Sequence, residues 1–186
     1  KAMRDMALAR IRQLSAHEVG HTLGMGHNYA SSADNRASVM DYPHPLVKIG
    51  PGGELDLSDA YAAGIGAFDK VAVDYAYRDY PAGVDADAAS RGVLDKAFAS
   101  GLRFLSGSDS GPAGAQPVTA AWDNGANLID ELERVIRIRE IALRNFSEKR
   151  IRPWMPLATL EEVLVPAYLF HRYQTEAAAA SLGGLS

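Results

Sequence analysis

The chain has 186 residues, 47% of them apolar and 23% charged, with a formal net charge of -4 and no cysteine. That length supports one ordinary domain with a real core, and the composition is that of a folded globular protein, not a disordered one. Mild acidity gives nucleic acid and anionic membranes no electrostatic hold, while the lack of cysteine excludes disulfides and thiolate sites and leaves His, carboxylate or backbone oxygen as donors to any metal.

No apolar run approaches the roughly 20 residues of a membrane helix, and no signal-peptide pattern opens the chain. It begins at Lys1 and enters a helix leading straight into its main motif, as expected of a piece cut from a longer polypeptide. Residues 3–23 lack proline and carry the helix formers Ala7, Leu8, Ala9, Arg10, Arg12 and Gln13, so a helix is expected there, ended by Gly24 and Gly26. Residues 28–57 are rich in Ser, Asp, Gly and Pro, with Pro43, Pro45 and Pro51 among them, and read as a long loop of the kind that often carries function. Ser58 is placed to cap a helical stretch over 59–80, interrupted near Gly64 and Gly66 and stopped by Pro81 and Gly83.

A further helix is expected over 85–99. The segment 106–117 is a turn-rich linker, in which Asp109 reads as a solvated loop carboxylate. Over 127–147, Leu128, Leu132, Val135, Ile136, Ala142, Leu143 and Phe146 recur at helical spacing, with Glu133/Arg137 and Glu140/Arg144 as pairs four apart. Thr159 and Glu162 have the spacing of a capping box for a last helix, adjusted at Pro166 and ended by Gly183 and Gly184. There is no internal repeat and no set of alternating strands, so the expected fold class is mainly α.

The chemistry lies in HEVGHTLGMGH, residues 17–27. Two histidines at i and i+4 project from one helix face, so His17 and His21 can bind one ion. Catalytic zinc takes three protein ligands and keeps a fourth position for water, and His27 is the candidate third donor once Gly24 turns the chain back. Glu18 would stand beside the bound water, whose pKa zinc lowers to roughly 7, and act as general base. A bare HExxH recurs by chance in unrelated helices; the longer spacing, followed by Met40 in SVMDY at residues 38–42, is far more specific. Met40 alone would read as core filler, and Tyr42 reads equally as a packed aromatic or a site residue. His44 and His171 read as structural or exposed and not as ligands; Tyr75, Tyr77 and Tyr80 read as core and surface positions on a helix.

HEVGHTLGMGHN with SVMDYP resembles the metzincin clan and, more closely, the bacterial Met-zincin family of large zinc-dependent metallopeptidases. FDKVAVDYAYRDY from Phe68 is similar to the helix after the methionine turn in that clan, and the stretches from Trp122 and Leu157 resemble the family's C-terminal helical region. The resemblance implies zinc-dependent hydrolysis of a peptide or protein substrate. His17, His21 and His27 would be the zinc ligands, Glu18 the base, Gly24 the permissive turn and Met40 the apolar floor under the metal. Tyr42 matches a tyrosine that in some metzincins binds zinc or stabilises the oxyanion.

Metzincins place a mixed β-sheet before the active-site helix, whereas only sixteen residues precede His17 here. The expected architecture is therefore the active-site helix plus the C-terminal helical subdomain of a zincin-like catalytic domain. The N-terminal sheet subdomain, absent from this chain, would come from the rest of the parent polypeptide, which leaves the activity of the isolated chain open. Within one partial catalytic domain over 1–186, the expected divisions are 1–57, 58–105, a linker at 106–121 and 122–186. The resemblance also suggests a periplasmic or exported bacterial location. Two other readings stay open at this point: a non-catalytic helical module for binding or assembly that retains a zinc site, and a metal-binding protein without hydrolysis. Glu18 discriminates against the first, because a binding module needs no carboxylate there; metal content and peptide cleavage of the wild type and Glu18→Gln would separate the second.

Overall fold

Helix α1, Ala2–Thr22, leads the chain in the computed structural model, which describes residues 2–107, 116 and 118–182. Asp109 with most of the turn-rich linker, and Gly183 and Gly184, lie outside the described residues. After α1 come a 3-10 turn at Tyr29–Ser31 and a hairpin of two two-residue strands, β1 Lys48–Ile49 and β2 Leu55–Asp56. They pair antiparallel with Lys48 opposite Asp56 and Ile49 opposite Leu55, and form the only sheet among the described residues. The remaining elements are α2 Ala67–Tyr77, α3 Ala86–Ala99, α4 Leu128–Arg144, α5 Leu160–Tyr168 and α6 Arg172–Ala180. The fold is mainly α, and no described helix is long and apolar enough to cross a membrane.

Local chemistry sets the helix starts. Asp85 Oδ1 accepts from Ala88 N at 3.0 Å and opens α3; Asn127 Oδ1 accepts from Ile129 N and Asp130 N and opens α4. Both helices lie within the expected ranges. The expected helix over 59–80 is shorter. Residues 58–66 are irregular, and α2 begins only after Gly66, because Asp69 supplies the cap: its Oδ2 accepts from Gly66 N at 2.6 Å. Asp69, 2% exposed, also accepts from Ser38 Oγ at 2.5 Å and Val39 N at 2.8 Å, so one buried carboxylate both starts α2 and braces the segment before Met40.

The expected single last helix is two. Thr159 is itself in helical conformation at the end of a 3-10 turn, Leu157–Thr159, and makes no side-chain cap. Pro166 sits within α5, and the break to α6 follows at Leu169 to His171.

Apolar burial is concentrated in two places. Val135 and Ile138 of α4, with Leu128, face Ala177 and Ala178 of α6, while α2 packs on α3. The second cluster is Tyr29, Ala30, Ala37, Val39 and Met40, against the end of α1. Buried polar groups crowd this cluster: Gln13, His17, Asn28, Asp41 and Asp123 are each at most 6% exposed. Buried polar side chains are stable only where partners satisfy them, and those partners draw the site.

Candidate metal centre

The end of α1 presents three buried positions, Gln13, His17 and Gly20, spaced as one helix face. This face meets the segment 38–42 edge-on. Val39 O accepts from Gln13 Nε2 at 3.2 Å and from His17 Nδ1 at 2.8 Å. A carbonyl can only accept, so the His17 proton sits on Nδ1 and the lone pair on Nε2. That Nε2 is buried and has no hydrogen-bond partner. His21 follows the same logic on the exposed side, with Nδ1 2.9 Å from Met25 O.

Met25 can accept this bond because the chain has already reversed at Gly24, whose φ of +81° is in the left-handed region that suits glycine. The reversal carries His27 back. Its backbone is then tied down by its neighbour: Asn28 N donates to Met40 O at 2.9 Å, while the buried Asn28 amide bonds Arg103 O at 2.9 Å and Leu105 N at 3.1 Å. The three imidazoles form a near-equilateral triangle, with centroid separations of 4.7, 4.8 and 5.2 Å. Candidate donor atoms of His17, His21 and His27 all lie within 4.8 Å of one another, so the three could hold one metal ion.

An orphaned, buried imidazole lone pair is what a metal ligand leaves behind when the ion is set aside, and the all-nitrogen donor set suits zinc. The hydrogen bonds from Nδ1 to carbonyls fix the tautomer and orient the rings, as metal-bound histidines require. His27 is held below the usual imidazole range, first by burial and then by the neighbouring His17 and His21, with Glu18 opposing. A neutral imidazole is the metal-binding form. Glu18 is exposed at the next position of α1, and its charge reaches His27.

Met40 is 1% exposed and runs under α1 at Gly20. A Cβ on Gly20 would collide with Met40 Sδ, so the helix approaches the thioether this closely only because residue 20 has no side chain. Tyr42 stacks on His17, centroids 4.7 Å apart and planes at 27°, and its hydroxyl is 3.1 Å from His27 Nε2. Tyr29 stacks on His27, with its hydroxyl 3.3 Å from Nδ1. His44 is elsewhere, against Phe170, and burial pushes it down to about 4; His171 is on the C-terminal helices. Neither joins the triangle. Tyr75 and Tyr77 are exposed on α2, and Tyr80 lies just beyond its end.

Sequence reasoning passed over Gly20, Gln13 and Asn28, which hold the site without bonding a metal. Gly20 alone left a signal, as a glycine inside an otherwise helical run. Behind Met40, Asp41 takes Ser31 Oγ at 2.7 Å and Tyr42 N at 2.6 Å, and burial raises it to about 7. Asp123, 1% exposed and with neither carboxylate oxygen bonded, is raised to about 8, first by burial and then by the charge of Asp41. A cavity of about 150 Å³ lies on this far side, bordered by Gln13, Ser31, Arg36, Asp41 and Asn124, and none of the three histidines lines it.

The chain belongs to the family described as Met-zincin, whose family model matches residues 1–186. No curated protein and no solved structure matches it. Membership implies zinc and suggests a metallopeptidase, in keeping with a histidine triad that could hold the ion.

Proposed function

We propose that this Met-zincin chain carries the zinc-holding half of a peptidase active site and cleaves peptide bonds with Glu18 as general base. The observation that carries the reading is the triangle of His17, His21 and His27 with the buried His17 Nε2 left unpartnered. Zinc held there supplies Lewis-acid polarisation and brings the pKa of a bound water to roughly 7.

The chain's own residues account for the rest. Glu18, one position beyond His17 and open to solvent, accepts a proton from the attacking water and later returns it to the leaving amine. Tyr42 donates its hydroxyl hydrogen bond to the oxyanion that develops on the scissile carbonyl, from a ring held against His17. Met40 forms the apolar floor, and Gly24 turns the chain to deliver His27. The substrate class is a peptide or protein.

Zinc content and peptide cleavage, measured for the wild type and Glu18→Gln, test the assignment. The variant should keep stoichiometric zinc and lose roughly 10²–10⁴-fold in turnover, the range general-base catalysis supplies. Unchanged turnover with zinc bound would remove Glu18 from the mechanism.

A further inference from the structure

We propose that Trp122 is a positioning residue for Tyr42, and that residues 119–124 form a strap by which the C-terminal half of the chain completes the wall of the metal centre. The proposal rests on the role given to Tyr42 above. Trp122 N donates to Tyr42 O at 2.8 Å, and the two rings stack with centroids 5.2 Å apart and planes 16° from parallel. Tyr42 is thus clamped between His17 on one face and Trp122 on the other. Two residues on, Asn124 Nδ2 donates to His44 O at 2.9 Å, so the strap is stitched to the 42–44 segment at two points.

Trp122 adopts a φ of +65°, a left-handed conformation that a bulky side chain rarely takes, and such strain persists only where surrounding contacts over-determine it. Here the contacts are those with Tyr42 and, at 6.0 Å, the ring of Tyr173 in α6. Thr119 and Asp123, on either side of Trp122 along the strap, are each 1% exposed. Held in this way, the Tyr42 ring keeps its place beside the histidine triangle, with its hydroxyl at the edge of the His27 imidazole. A side chain fixed in its working position contributes more to catalysis than a mobile one, because no reorganisation is needed at the moment of reaction.

The chain has two tryptophans, and the other, Trp154, is fully exposed, so a Trp154→Phe background isolates the Trp122 emission. In the metal-free protein, Tyr42→Ala in that background should about double the acrylamide quenching constant of Trp122 by uncovering one indole face. An unchanged constant overturns the clamp. With zinc loaded and a peptide substrate, Trp122→Ala should lower kcat about tenfold with KM little changed, and Trp122→Phe, which keeps a ring over Tyr42, should retain most of the activity. Added to Tyr42→Phe, Trp122→Ala should cost nothing further, since both act through one hydroxyl. Additive losses, or an effect on KM alone, overturn the positioning role. Should the zinc-loaded wild type cleave no peptide, the peptidase reading fails and the quenching measurement still decides the clamp.

Discussion

Helices α1 and α4 bury opposite kinds of residue. On α4 the buried positions are Leu128, Glu131, Val135 and Ile138, an apolar stripe broken by one carboxylate that pairs with Arg134, and the stripe packs on α6 and α5. On α1 the buried positions are Gln13, His17 and Gly20, while Ile11 and Val19 face outward. Hydrophobic burial accounts for where α4 sits. It does not account for α1, whose inner face is held by hydrogen bonds to Val39 O and by the close pass of Met40.

The largest expected effects set the two helices directly against each other. His17→Ala should weaken zinc binding, read by chelator competition, by more than the roughly 10–100-fold that loss of a supporting partner costs. In the metal-free chain it should cost less than Ile138→Ala, because the lost bond to Val39 O is offset in part by removal of the unpartnered Nε2. Ile138→Ala should instead cost about 2–5 kcal/mol in denaturant unfolding. Equal destabilisation by the two substitutions would break the contrast.

The seam between the two regions gives the next test. Asp123, just ahead of α4, and Asp41, just after Met40, are raised to about 8 and about 7 when folded, against about 3.9 for a free Asp. The folded chain then holds more protons than the unfolded one between those values, so this pair favours the fold fully below about pH 4 and progressively less as pH rises to 8. Asp123→Asn should therefore gain stability relative to the wild type between pH 5 and pH 9. A wild-type-to-variant difference that stays constant over that range would mean Asp123 is ionised throughout.

The smallest effects separate two helical glycines. Gly20→Ala forces a methyl against Met40 and should cost about 1–3 kcal/mol as overpacking, with weaker zinc binding. Gly92→Ala in α3 meets nothing within 4 Å and should stabilise by about 0.5–1 kcal/mol. The same sign for both would show that helix propensity, not the thioether contact, governs residue 20.

The helices with apolar periodicity and good caps were legible from the chain alone: α4 with Asn127 before it, α3 with Asp85 before it. Where a tertiary contact set the boundary, local reading ran too far. Asp69 caps α2 at Gly66, but its carboxylate is fixed there by Ser38 and Val39 far back along the chain, and no window over 58–80 contains those partners. The ending of the chain as two helices, α5 and α6, likewise follows from packing on α4 and not from Thr159 or Pro166.

By itself the sequence brought out three histidines that could share one ion, because His17 and His21 lie on one helix face by covalent geometry and Gly24 permits the reversal to His27. It could not determine which nitrogen of His17 is free, that Gly20 makes room for Met40, or that Trp122 covers Tyr42. Those depend on Val39, Met40 and Tyr42 meeting residues far along the chain, and such contacts exist only once the backbone has closed the loops between them.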